Sequence, residues 1–436
     1  MFRQELSAPG LYQIVRQTFQ EIDDPRQTRH NSISYVSALL SAAAMFAFKA
    51  PSLLAFEKDV RHHNHVQGNV KRIFQIDDVP CDTTMREIID TIPTDLLLKP
   101  FKRIFAAIQR GKDLEPFVFL DGHYLVALDG TGFFSSPSVH CDHCCVKTHR
   151  NGNTTYYHQA VAGVVIHPGQ KVVIPLAPEP IVKQDGTTKN DCEREASRRF
   201  LERLRREHPH LRVIITEDGL ASNAPHIELL QQLDCRYILG CKPGDHTFLF
   251  EFIEESEKLG VLKHVTLKND QATFTFRYMN EVLLNGSSDV RVNFFDCTEI
   301  RADGTRFHFS WVTDIPITDE NIFILMKGGR ARWKIENETF NTLKNQGYQF
   351  EHNFGHGHHN LSNNLMVLMM LVFLIDQTQW LCCKVYQQAK EKAQRFTTLW
   401  ELFRGLITHF ELDGWETLLR ASAFGYNKAP LKPDTG

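Results

Sequence analysis

With 436 residues, 42% of them apolar and 23% charged, the chain is long enough to bury a sizeable core and to hold two or three structural units. A formal net charge of −3 excludes a polycation, so any nucleic-acid contact has to come from local basic surface. Half of the ten cysteines are scattered, which argues against a disulfide framework and for reduced thiols in the cytosol. The N-terminus lacks the basic-then-apolar layout of a signal peptide, and the longest apolar run, Leu365 to Ile375, is too short to span a bilayer. A buried helix and no membrane partner are the expectation.

Residues 1–115 read as a helical N-terminal domain, with helices expected over Leu11–Phe19, Ile33–Phe48, Thr84–Ile92 and Leu96–Ile108 and a DNA-binding role open to it. Pro51 and the His62-His63-Asn64-His65 cluster punctuate it. Over 116–245 the pattern changes to strands and helices in alternation. Tyr124–Asp129, Tyr156–Ile166, Lys171–Pro178, Arg212–Asp218 and Arg236–Cys241 are Val/Ile/Tyr-rich strands, and Asp191 is placed to cap a helix running to His208. Residues 246–315 break that rhythm and read as a mostly β insertion, with a turn at Asn285-Gly286-Ser287-Ser288. A helix within 316–360 completes the α/β core. Helices over Ser362–Gln377, Trp380–Gln394 and Thr397–Phe410 fill most of 361–436, and the tail from Pro430 is expected to be disordered.

The stretch Arg330–Lys344 reads as one helix that stops at Gly347. At about 100° per residue, Trp333, Ile335, Phe340 and Leu343 fall on one apolar side, with Glu336 near its middle and Arg332 one turn before. Glu338 points the opposite way. A carboxylate on an apolar stripe is costly unless a cation or metal ion holds it, so Glu336 needs partners.

Asp129 and Asp218 supply them. Each stands where a buried-type strand ends, next to a glycine, the position where open α/β sheets bind ligands. Taken singly, such residues are ordinary turn formers. Three carboxylates brought together stay ionised only with divalent cations between them, and oxygen-only ligation suits Mg²⁺ or Mn²⁺.

The order Leu128-Asp129-Gly130-Thr131-Gly132, Thr216-Glu217-Asp218-Gly219-Leu220, Trp311-Val312-Thr313 and Arg332-Trp333-Lys334-Ile335-Glu336 resembles the DDE transposases of the IS4 superfamily over roughly residues 120 to 375. The resemblance implies a ribonuclease H-like mixed-sheet core with a β-rich insertion before the final Glu helix, flanked by helical segments. It implies Asp129, Asp218 and Glu336 as the Mg²⁺-binding catalytic triad, and Arg332 as the residue that engages DNA near the cut. Its implied partners are double-stranded terminal inverted repeats and target DNA, bound by a homodimer in a prokaryotic cytoplasm, nucleoid-associated when acting. Two positions depart from the family pattern. Gly329 stands where the family has Tyr, and Leu343 where it has Lys; Lys344 comes one residue late, a turn of about 100° on an α-helix. A catalytically inactive DNA-binding relic or regulator, and a metal-dependent nuclease that only hydrolyses, remain as alternatives.

Around this core, Arg330, Arg332 and Lys344 are candidate phosphate contacts. The Arg-rich stretch 194–206, interleaved with Glu, reads as a solvated helix face. In the Gly-broken segment 351–359, His352 and His356 lie nearest the helix end and are candidate phosphate donors, against a reading as incidental loop histidines. Cys141 and Cys144 offer half of a tetrahedral zinc site, which His149 or His158 could help complete; the competing reading is a reduced surface loop.

Overall fold

The computed structural model describes residues 4–26, 33–61, 63–141, 143–183, 189–425 and 432–433. Among these, the architecture is mixed α/β: a twelve-stranded, mostly antiparallel sheet with helices at both ends of the chain. The strands are β1 (Val118–Leu120), β2 (His123–Ser136), β3 (Cys145–Thr148), β4 (Thr154–Ile166), β5 (Ile174–Pro175), β6 (Glu179–Ile181), β7 (Val213–Glu217), β8 (Arg236–Gly240), β9 (Lys263–Lys268), β10 (Ala272–Leu283), β11 (Arg291–Arg301) and β12 (Arg306–Thr313). The main path runs β3-β4-β2-β7-β8-β12-β11-β10-β9, with β1 beside β2, and β5 and β6 beside β4. Parallel pairing is confined to β2–β7 and β7–β8 among the described residues.

Strand β2 is longer than its short apolar run suggests. It continues through Asp129 and Gly130 to Ser136, because β4 pairs with it along that whole length, whereas its pairing with β7 stops at Ala127. Asp129 therefore lies inside a strand, at the point where β2 runs on past β7. The β-rich stretch is not set apart from the core. It begins with a helix, Thr247–Lys258, that the alternation did not announce, and β12 then pairs antiparallel with β8 so that β9 to β12 extend the same sheet.

At the N-terminal end, helices cover Ala8–Phe19, Tyr35–Ala47, Asp82–Asp90 and Lys99–Arg110, and two further helices, Leu53–Arg61 and Asn64–Phe74, fill the stretch that Pro51 and the histidine cluster break up. The helix Lys189–Glu207 starts before Asp191, so that residue lies in the first turn instead of at the cap. Its Arg198 makes the expected exposed pairs with Glu195 and Glu202, but Arg199 and Arg203 turn inward onto Glu179 of β6.

The helix Leu361–Cys382 has the length and apolarity to cross a membrane, yet 83% of its most apolar window is buried inside the protein. It packs on the helices Tyr35–Ala47, Asp82–Asp90 and Lys99–Arg110 and on β5, which gives the apolar run its partners. Helices Lys384–Ala393, Phe396–His409 and Trp415–Phe424 complete the chain's C-terminal side. Lys432–Pro433 pair with Phe410–Glu411; the rest of the tail from Pro430 lies outside the described residues.

Candidate functional site

The register of the parallel pair brings the two aspartates together. Tyr124, Leu125, Val126 and Ala127 of β2 stand beside Val213, Ile214, Ile215 and Thr216 of β7. Two residues beyond the last pair, Ala127 and Thr216, come Asp129 within β2 and Asp218 just past the end of β7, and both line one cavity. The Asp129 Oδ1 accepts its neighbour Gly130 N–H at 2.9 Å, and Asp218 Oδ1 accepts the Leu220 N–H at 3.0 Å.

Arg332 joins Glu336 to them. Its guanidinium donates to Glu336 Oε1 at 2.8 Å through Nη2 and to Asp129 Oδ2 at 3.4 Å through Nη1. Burial pushes the Asp129 carboxyl up to about 7; Arg332 opposes that rise, while Glu336, Glu193 and Asp218 add to it. The site is a crowd of carboxylates with the Arg332 guanidinium between Asp129 and Glu336; among the described residues these acids do not form a group placed to hold a metal ion.

The segment carrying Glu336 is not the single α-helix expected. An α-helix over Ile322–Ala331 already contains Gly328 and Gly329, and Ile335–Phe340 then forms a π-helical turn before α-helix resumes over Asn341–Asn345. Regular phasing therefore fails across it. Ile335, Phe340 and Leu343 are buried as expected, but Trp333 is turned out and 52% exposed. A π turn closes i to i+5 and takes in one residue more than an α turn. Eight residues from Glu336 to Lys344 then sweep about as far as seven would in an α-helix, which restores Lys344 to the phase its spacing had cost it. There it pairs with Glu351 at 2.8 Å.

Gly329 also has a physical reason. A Cβ there would meet the Trp311 indole Nε1 at 2.3 Å, so the packing of β12 on this helix leaves no room for a side chain where the family pattern has Tyr.

The basic residues are spread over more than one face. Arg330 pairs with the buried Glu299 of β11 at 2.6 Å, and Lys334 donates to the Gln170 carbonyl at 2.7 Å. With Arg301 and Lys327 they line one cleft between the β-rich stretch and the helix. His352 is exposed, edge-on to Phe354. His356 is buried at 8% exposure, which removes it from the candidate phosphate contacts. It forms a Cys/His cluster with Cys141, Cys144 and His158, whose ligand atoms all lie within 4.8 Å of one another, a group able to hold a metal ion. His149 is no part of that cluster; it is exposed and bonds to Thr155 Oγ1 at 2.8 Å.

Sequence reading passed over the groups that back the aspartates. A cavity beside Asp129 is lined by Glu193, Arg194, Ser197, Glu217, Asp218 and His226 among others. Glu193 approaches Asp129 because residue 130 is glycine; a Cβ there would come within 2.7 Å of the Glu193 carboxylate. Glu217 accepts from the buried His226 Nε2 at 2.6 Å. Burial pushes that imidazole down, but the Glu217 carboxylate outweighs it and leaves the pKa raised. The available signal was strand alternation, which turns Glu217 away from the face of Asp218 and obliges a buried acid to find its own partner. Comparison with protein-family models and with curated proteins gives no match.

Proposed function

We propose that the chain is a DNA transposase of the DDE type, built on a ribonuclease H-like core, which cuts at terminal inverted repeats and joins 3′ ends to target DNA. The observation that carries this reading is that Asp129 on β2 has as neighbours both Asp218, just past the end of β7, and Glu336, on a π turn more than a hundred residues later and joined to Asp129 through Arg332. A mixed sheet with antiparallel β4 on one side of β2 and parallel β7 and β8 on the other supports the core assignment.

In this reading the three carboxylates hold Mg²⁺ or Mn²⁺. Such ions activate a water or hydroxyl nucleophile and stabilise the leaving oxygen of phosphoryl transfer. The chain's own residues do the rest. Arg332 keeps Asp129 and Glu336 side by side and has the planar fork that matches a phosphate. Arg301, Lys327, Arg330 and Lys334 give duplex backbone a basic cleft that positions it without reading its sequence. Synapsis of two ends would take a dimer. The softer Cys/His cluster is a separate site, suited to zinc instead of magnesium.

The test uses the purified full chain, Mg²⁺ and a duplex bearing the inverted repeats that flank its coding sequence. Nicking at the repeat boundary followed by joined products is expected, with both lost in Asp218→Ala. Cleavage retained by the alanine variant would overturn the site. Cleavage without joined products would instead favour a hydrolytic nuclease, and repeat binding without cleavage a regulator.

A further inference from the structure

The C-x-x-C loop between β2 and β3 carries Cys141 and Cys144, and β4 presents His158 directly opposite Phe134 of β2. The fourth member, His356, arrives from 212 residues beyond Cys144, on the segment that follows the Glu336 turn. The two sulfurs are 3.9 Å apart; His158 Nε2 lies 3.5 Å from Cys141 Sγ and 3.4 Å from Cys144 Sγ, and His356 Nε2 lies 3.3 Å from Cys144 Sγ. Tetrahedral zinc with Zn–S bonds of about 2.3 Å and Zn–N bonds of about 2.0–2.1 Å has edges of about 3.8 Å between sulfurs and about 3.5 Å between sulfur and nitrogen. Four of the six spacings are close to those edges, and all six lie within 4.8 Å.

The surroundings point the same way. Cys144, His158 and His356 are buried, and the Phe133 and Phe134 rings lie against the imidazoles, Phe134 at 4.4 Å from His356 and Phe133 stacked at 5.7 Å on His158. In such a wall, thiols are weak donors and acceptors and imidazoles are costly to leave half-bonded. Among the described residues the His356 Nδ1 meets no hydrogen-bond partner, and that ring's polar contact is on the cluster side. Two thiolates and one divalent ion sum to zero charge, the form a low-dielectric pocket favours.

We propose that Cys141, Cys144, His158 and His356 bind one structural Zn²⁺ that ties the β2–β4 region to the segment behind Glu336. Four protein ligands close the coordination shell, so the ion holds structure and has no open position for chemistry. The far end of the same segment is anchored independently, by Asp90 accepting the amides of His358, His359, Asn360 and Leu361. With both ends held, the stretch between Glu336 and the helix Leu361–Cys382 has a fixed path. The assignment stands on this cluster alone and does not depend on the reaction proposed above.

Metal analysis of the purified full chain should find one zinc per chain, and X-ray absorption at the zinc edge should read two sulfur and two nitrogen ligands. Cys144→Ser should lose the metal, His356→Ala should exchange one nitrogen for oxygen, and Asp218→Ala should keep the parent stoichiometry and ligand set. Chelating the zinc should speed amide exchange over 351–357 while leaving β10 and β11 unchanged. Folded protein isolated without zinc from zinc-supplied cells would overturn the site. An unchanged ligand set in His356→Ala, or exchange over 351–357 indifferent to chelation, would overturn the tie.

Discussion

Arg332 stands between two acids as a cation would, bonded to Asp129 and Glu336 at once, and this explains how carboxylates from two distant segments lie close together. Its lone positive charge does not balance them all, so the Asp129 carboxyl stays up at about 7 with burial as the main cause. Another single residue sets a pH dependence away from the site. His208, at the end of the Lys189–Glu207 helix, packs at 4.7 Å against Phe105 of the N-terminal helices; burial, aided by Lys102, pushes its pKa down to about 4. Below pH 6.5 or so the unfolded chain takes up a proton here that the folded chain refuses until about 4. Stability is therefore lost as pH falls through that window, at most by about 1.4 kcal/mol per unit. In His208→Gln the melting temperature should vary less steeply between those pH values than in the parent; equal slopes would remove His208 from the account.

The element that carries Glu336 derives its shape from what it packs against. Gly328 and Gly329 sit inside its first α-helical part, where glycine weakens a helix by about 1 kcal/mol relative to alanine. Propensity alone thus predicts that Gly329→Ala stabilises the protein. The Trp311 indole in the path of the new Cβ predicts the reverse, an overpacking loss of about 1–3 kcal/mol. Urea unfolding decides between the two by sign, and a more stable alanine variant would mean that Trp311 yields. The π turn that follows is the other departure from regularity. It takes up the one-residue offset of Lys344 through a single extra residue in one turn.

Across the whole molecule, the N-terminal helices and the C-terminal half of the chain are locked together by charged groups taken out of water. Lys49 Nζ and Asp376 Oδ2 form an ion pair at 2.8 Å, with Lys49 over the rings of Tyr348 and Trp400. Asp90, ending the Asp82–Asp90 helix, caps the start of Leu361–Cys382 from 270 residues away. Burial raises its carboxyl, but the amides of His358, Leu361, His359 and Asn360 together outweigh that and leave its pKa lowered. Its stabilising effect is accordingly present above the ordinary carboxylate pKa and fades as pH falls below it. Asp90→Ala should cost about 2–4 kcal/mol in denaturant unfolding, since charge-assisted bonds contribute about 1.5–3 kcal/mol each and overlap. Asp90→Asn, which keeps an acceptor oxygen, should recover part of it. A neutral effect of Asp90→Ala would show that the two halves hold together without this cap.

The sequence by itself determined the features that depend on near neighbours. Asp129 and Asp218 were legible because each follows a run of apolar residues and precedes a glycine, and Glu336 because a carboxylate on an apolar helix stripe is conspicuous. The alternation of Val, Ile and Phe likewise marked most strands. What only the tertiary structure decided are matters of long-range contact. Asp129 lies within a strand because β4 pairs beyond it; Gly329 is required by an indole on β12; Glu193 enters the site through the gap a glycine leaves. His356 belongs to Cys144 and not to a phosphate-facing loop, because loop closure over 212 residues places it in a buried, Phe-lined pocket that no local pattern encodes.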